Sequence, residues 1–222
     1  MGSVSEMAGV HVEIWSDIVC PWCYIGKRRL ETALGTFEHA ADVEIEWRSF
    51  QLDPSIPKGS VEPVYDSLAK KFGGSKAQVK AMTAQVGALA EAEGLHYDFD
   101  RAVSMNTFDA HRLLHLAKAH GLGAEAHERL MRASLIEGAT LDTPTLVRLG
   151  TELGLETAAA EKVLAGDDYT ADVEDDIRQA RRYGATGVPF FVLNQAYGVS
   201  GAQSAEVFLQ ALRTAHEAAP VR

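Results

Sequence analysis

Two cysteines are all that this 222-residue chain contains, and they stand three residues apart, Cys20 and Cys23. A secreted fold stapled by disulfides carries more of them, spread along the chain. A pair at this spacing cannot tie distant segments together, so its value lies in redox chemistry or in metal binding. Positive charge is scarce too: 21 Lys and Arg face 31 Asp and Glu, a net charge of −10. A general basic footprint is absent, so no nucleic-acid partner is expected. No apolar run approaches the roughly 18 residues that a membrane helix needs, so no membrane partner is expected either. The opening MGSVSEMAGVHVEIW lacks the basic stretch and continuous apolar run of a secretory signal. The expected compartment is the cytoplasm. Proline numbers only seven, with no Pro-rich linker, internal repeat or low-complexity tract. What remains is an ordinary soluble composition, 46% hydrophobic, long enough for one large domain or a small one carrying an insertion.

Hydrophobic patterning divides the chain into three stretches. Val12–Trp15 reads as a strand, Tyr24–Leu34 has helical composition, and Val43-Glu44-Ile45-Glu46-Trp47 alternates strictly as a second strand. From about Pro54 to Gly184 almost no β-rich run occurs. Helices are expected from Ser75, where Gln78 completes a capping box, to Gly94, then over about 106–120, 124–137, 142–153 and 170–183. Gly121, Gly138, Gly154 and Gly184 punctuate them. The end returns to strands, Phe190–Leu193 and Ala196–Val199 around a turn at Asn194-Gln195, and closes with a helix over Ser204–His216. The order is βαβ, a helical block, then ββα. The last three elements complete the first three, so the predicted core is 11–53 with 185–219, and 54–184 is an all-helical insertion.

Cysteine attacks a disulfide as its thiolate. At the start of a helix, Cys20 would face unpaired backbone N–H groups and the positive end of the dipole, which stabilise that thiolate. Pro21 suits the first helical position because it has no N–H to leave unpaired. Cys23 follows one turn along, within reach of a mixed disulfide on Cys20. Nucleophile and resolving thiol are thereby assigned. A zinc site would need two more ligands, for which His111 and His115 at i, i+4 are the candidates; the redox reading needs none, and no metal is expected. Pro21 and Trp22, between the cysteines, are candidates for a substrate-facing rim.

The segments S-D-I-V-C-P-W-C-Y-I-G at 16–26, N-T-F-D-A-H-R-L at 106–113, A-T-G-V-P-F-F-V at 185–192 and G-V-S-G-A-Q at 198–203 resemble the FrnE branch of the DsbA family. They span nearly the whole chain. The resemblance implies an α/β thioredoxin-like core interrupted by a helical insertion, and thiol–disulfide oxidoreductase or isomerase activity. It also implies a cis-proline at Pro189, with Val188 before it offering backbone hydrogen bonds to substrate. Asn106 and His111 come with the family motif as substrate-binding candidates; a helix cap for the former and a structural histidine for the latter are the plain alternatives. Related 2-hydroxychromene-2-carboxylate isomerases and kappa-class glutathione transferases typically have serine at the first cysteine position, whereas Cys20 keeps redox chemistry possible. Some relatives carry a further C-terminal cysteine pair, absent here, so a relay through a second pair within one chain is ruled out. The implied partners are disulfide-containing proteins or small thiols. No bound organic cofactor is implied, a low-molecular-weight thiol serving as co-substrate.

Overall fold

The computed structural model describes residues 9–218. Strand β1 (Val10–Ser16) feeds helix α1 (Pro21–Thr36), and a short 3₁₀ turn leads into β2 (Val43–Ser49). At the other end of the chain come β5 (Phe190–Leu193), β6 (Tyr197–Ser200) and α9 (Ala205–Glu217). These elements form one four-stranded sheet in the order β2-β1-β5-β6. β1 runs parallel to β2 and antiparallel to β5. The hairpin turn places Asn194 and Gln195 at positive φ.

Alternation sends successive side chains to opposite faces of the sheet. Val12, Ile14, Phe191 and Leu193 pack against Leu30 and Ala33 of α1 and Phe208 and Leu212 of α9. On the second face Trp15 and Val192 pack with Ala180 and Ala185. Glu13 is buried on this face as well, paired with Arg48 at 2.8 Å.

Between the two halves of the sheet lie α2 (Val64–Phe72), α3 (Lys76–Ala92), α4 (Phe108–Ala119), α5 (Gly123–Leu135), α6 (Thr143–Glu152), α7 (Thr157–Ala165) and α8 (Thr170–Arg182). The Ser75–Gln78 capping box is present in both directions. The expectation of an all-helical block needs amending in one respect. Strands β3 (Val61–Pro63) and β4 (Val103–Met105) pair as an antiparallel ribbon. At three residues each they are too short to show a period of two. Helix α7, which the glycine punctuation did not reveal, packs Ala160 and Val163 into the core of this block with Leu113, Leu130 and Leu149. Helix α8 belongs to both parts: Ala180 covers the sheet, and the backbone carbonyl of Asp176 accepts from Trp15 Nε1 at 2.8 Å. Residue 219, the last of the expected core, lies outside the described residues.

Candidate active site

The two cysteines sit where β1 hands over to α1. Cys20 is the N-cap, extended at φ −88° and ψ 111°, and Pro21 opens the helix. Pro21 has no N–H to leave unpaired, and Cys23 N–H turns back to the Cys20 carbonyl at 3.1 Å. Both cysteines are free thiols and both are buried. The Cys20 thiol donates to the Val188 carbonyl, with Sγ 3.7 Å from the oxygen. The Val188–Pro189 bond is cis, Val188 is half-buried and Pro189 is buried. Burial pushes the Cys23 thiol well above the ordinary range; the neighbouring Cys20 raises it further, while Ser16 and the Asp17 backbone pull the other way. Trp22, between the cysteines, keeps 39% of its surface exposed, and Leu52, not singled out from the sequence, matches it at 39%.

Gly26 accounts for how closely α1 approaches the proline loop. A Cβ there would lie 3.1 Å from Pro189 Cγ and 3.3 Å from Phe191 Cζ. The loop is tied down by Gly201 N–H on the Pro189 carbonyl at 2.9 Å. Arg29 adds a bond to the Ala202 carbonyl at 2.7 Å and an ion pair to Glu93 at 2.6 Å. The 198–203 segment is thus held in the site through its own backbone groups, Gly201 N–H and the Ala202 carbonyl.

Asp17 organises the loop that delivers Cys20. Its backbone carbonyl accepts from Cys20 N–H at 3.1 Å, while its carboxylate accepts from Ile18 N–H and Leu52 N–H, each at 2.8 Å. His111 Nε2 lies 3.2 Å from the same carboxylate. Asp17 and His111 are both about 1% exposed in their side chains. His111 therefore touches no open surface, as the structural alternative has it rather than the substrate-binding one, and it braces the Cys20 loop through Asp17. Asn106 is likewise engaged. Its amide donates to the Ile56 carbonyl at 2.6 Å, and its Oδ1 accepts from Phe108 N–H at 2.9 Å. The cap of α4 is Thr107, so Asn106 stands one residue before it, holding the first helical N–H and clamping the loop at Ile56. His115 turns to Asp176 at 3.0 Å and Ser49 at 3.2 Å. The two histidines considered as zinc ligands thus serve two separate carboxylates.

The intervening helices grip α1 from its first turn onward. Tyr97 donates to the Pro21 carbonyl at 2.7 Å and stacks on Tyr24 at 6.3 Å. Glu128 of α5 takes Lys27 at 2.6 Å, Arg28 at 2.5 Å and the Tyr24 hydroxyl. Burial alone would raise Glu128, but these three donors outweigh it and hold the carboxyl at about 2. Beside it, buried His127 stacks on Trp47 at 3.8 Å, and neither ring nitrogen has a hydrogen-bond partner among the described residues. Burial, reinforced by the Lys27 charge, pushes His127 down to about 3, so the ring is neutral. Tyr97, His127 and Glu128 carried no signal in the sequence, because their partners on α1 and β2 lie far away along the chain, 76 positions for Tyr97 and Pro21 and 104 for Glu128 and Tyr24.

The chain matches the model of the DSBA-like thioredoxin domain over residues 11–213. It is 30% identical over 210 residues to the protein YwbO of Bacillus subtilis (strain 168), covering 91% of this chain and 96% of that one. Among solved structures it is similar to SCO1869 of Streptomyces coelicolor, described as a probable DsbA oxidoreductase. That likeness has a TM-score of 0.92 and 46% identity over 96% of this chain and 93% of the other. The fold is shared at greater distance with the cytosolic disulfide reductase DsbM of Pseudomonas aeruginosa, at TM-score 0.60 and 22% identity, over 93% and 96% of the two chains.

Proposed function

This chain belongs to the DSBA-like thioredoxin-domain family of thiol oxidoreductases, and we propose that it reduces or isomerises disulfides with Cys20 as nucleophile and Cys23 as resolving thiol. The observation that carries the reading is the setting of Cys20: an N-cap cysteine whose sulfur lies 3.7 Å from the Val188 carbonyl, beside an exposed Trp22. The Cys20 thiolate attacks one sulfur of the substrate disulfide. A mixed disulfide forms and the other substrate sulfur leaves as a thiolate, which takes a proton. Cys23 then attacks Cys20 Sγ, releasing the second substrate thiol and closing a Cys20–Cys23 disulfide. Two electrons pass to the substrate, and an external thiol returns the pair to the dithiol.

The neighbouring Cys20 sulfur is one of the causes holding the Cys23 proton on. In the mixed disulfide the Cys20 sulfur is bonded to the substrate and no longer stands beside Cys23 as a free thiol, so that cause is removed at the step in which Cys23 attacks. Half-buried Val188, held by buried Pro189, offers its backbone to a substrate strand, and exposed Trp22 supplies an apolar rim. The cytoplasmic reading places the pair in a pool near −220 mV or lower, where thioredoxin-type pairs rest mostly reduced. Net reduction and isomerisation follow rather than net oxidation. Insulin reduction with a thiol donor tests the activity, and trapping with Cys23→Ser in cell extract reveals the substrate. Turnover by Cys20→Ser at the wild-type rate would refute the assignment. A potential near −120 mV, at the oxidising end of such proteins, would refute the direction.

A further inference from the structure

We propose that His39, Asp42 and His216 form a site for a borderline divalent cation of the zinc type, separate from the cysteine pair. His39 and Asp42 lie in the turn between α1 and β2, and His216 lies in the last turn of α9. One ligating atom of each falls within 4.8 Å of the others. His39 Nδ1 is 3.9 Å from Asp42 Oδ2, and the two imidazoles stack with ring centres 3.9 Å apart. Phe37 meets both rings edge-on, at 5.8 and 6.0 Å, and forms a wall behind them.

An independent observation points to a ligand. His216 Nε2 is sealed from solvent and has no hydrogen-bond partner among the described residues. A buried nitrogen without a partner costs free energy, and a cation bound to its lone pair relieves that cost. The surroundings favour positive charge. Arg213, one turn before His216, is already paired with Glu38 at 3.3 Å, so its charge is met, and the Asp42 carboxylate stands 30% exposed. Two imidazoles and one carboxylate suit zinc, nickel, cobalt or copper better than calcium or magnesium, which take all-oxygen sets. Water would fill the remaining position.

Binding asks for a defined movement. Tetrahedral zinc with bonds of about 2.0–2.1 Å holds its donor atoms about 3.3 Å apart. Lone pairs of parallel rings do not converge, so one imidazole must turn. His39 is the one able to do so, with 39% of its side chain exposed on a short turn. His216, anchored in α9 against Phe37, stays as the fixed ligand. The bound ion would clip the last turn of α9 to the segment entering β2. The site lies past the far end of α1, a helix about 24 Å long whose N-terminus is Cys20, so an ion here would stand well away from the thiols.

The thiols themselves bind zinc, so the test uses the full chain carrying Cys20→Ser and Cys23→Ser. Titration with Zn²⁺ by calorimetry should show one site, reversed by EDTA. His39→Asn and His216→Asn should each weaken it about tenfold or more, at least what loss of an outer hydrogen-bond partner costs a metal site. Zn²⁺ should raise the Tm of the parent and not of these variants. Asp42→Asn, on the exposed turn, gives an arm in which the fold is not in question. Histidine ¹H–¹³C spectra should show Zn²⁺ moving the His39 and His216 signals while His111 and His127 stay in place. Absence of binding in the double-serine chain, undiminished affinity in all three ligand variants, or movement of other histidines instead would overturn the proposal.

Discussion

The first turn of α1 and the turns that follow it are built to opposite ends. At the first turn the sulfur of Cys20 meets the Val188 carbonyl and the Cys23 thiol, and Trp22 stands out in solvent. One turn further, Lys27 and Arg28 are locked onto Glu128, and His127 lies sealed beside them. The same helix offers a reactive end with few partners and a body saturated with them. Reactivity and anchorage are therefore separable, and substitutions should sort accordingly.

The largest effect is expected at the reactive end. Cys20→Ser should lower disulfide-exchange turnover by about three orders of magnitude or more, the scale for removing a nucleophile, while leaving Tm nearly unchanged. Cys23→Ser should accumulate mixed disulfides that mass spectrometry detects. A Cys20→Ser protein that unfolds early would erase the contrast between the two parts of the helix.

The anchoring part should answer in stability. Glu128→Ala removes the partner of Lys27 on α5 and leaves that side chain, 9% exposed, with Glu31 of its own helix. Since Glu128 itself is 31% exposed, the cost should be about 1–3 kcal/mol by urea denaturation, below the full value of a buried pair. Exchange activity in the folded fraction should persist. An activity loss far exceeding the stability loss would mean that anchorage and chemistry are coupled.

His127 sharpens the same comparison through pH. Its folded value of about 3 lies below the ordinary value of 6.5, so the unfolded chain binds the proton that the folded chain refuses. Stability from this group is present above 6.5 and falls as the pH drops from there towards 3, by up to about 1.4 kcal/mol per unit. His127→Phe keeps a ring on Trp47 and removes the titration, so the slope of unfolding free energy between pH 6 and 4.5 should flatten. An unchanged slope would show that other groups carry it; Glu128, held at about 2, contributes only below about 4.5.

The smallest change belongs to the hinge between the two parts. Tyr97→Phe deletes one hydrogen bond to the Pro21 carbonyl and should cost about 1 kcal/mol. Alkylation by iodoacetamide at pH 6 should still favour Cys20 over Cys23, whose thiol burial holds protonated. Equal rates would place the control of reactivity outside this helix.

Much of this was legible in the residues themselves. Local periodicity and end signals located β1, α1, β2, the final hairpin and α9 within a few residues, and the C-P-W-C spacing set two sulfurs one turn apart at a helix start. The Ser75–Gln78 box was readable because both its bonds close within four residues. The β3–β4 ribbon was not, since three-residue strands carry no alternation and their pairing spans about forty positions.

Neighbours along the chain were enough to set the helix start that cradles Cys20 and the strands on either side of it, because each depends on local periodicity and end signals. Tertiary structure alone decided what surrounds that helix. His111 and His127 sit on adjacent helices with similar local sequence, yet one meets the Asp17 carboxylate and the other meets the face of Trp47 within the field of Lys27. Which of those a histidine meets depends on how α4 and α5 dock against β1, α1 and β2. That docking is the summed outcome of burying a whole core, and no single stretch of residues encodes it.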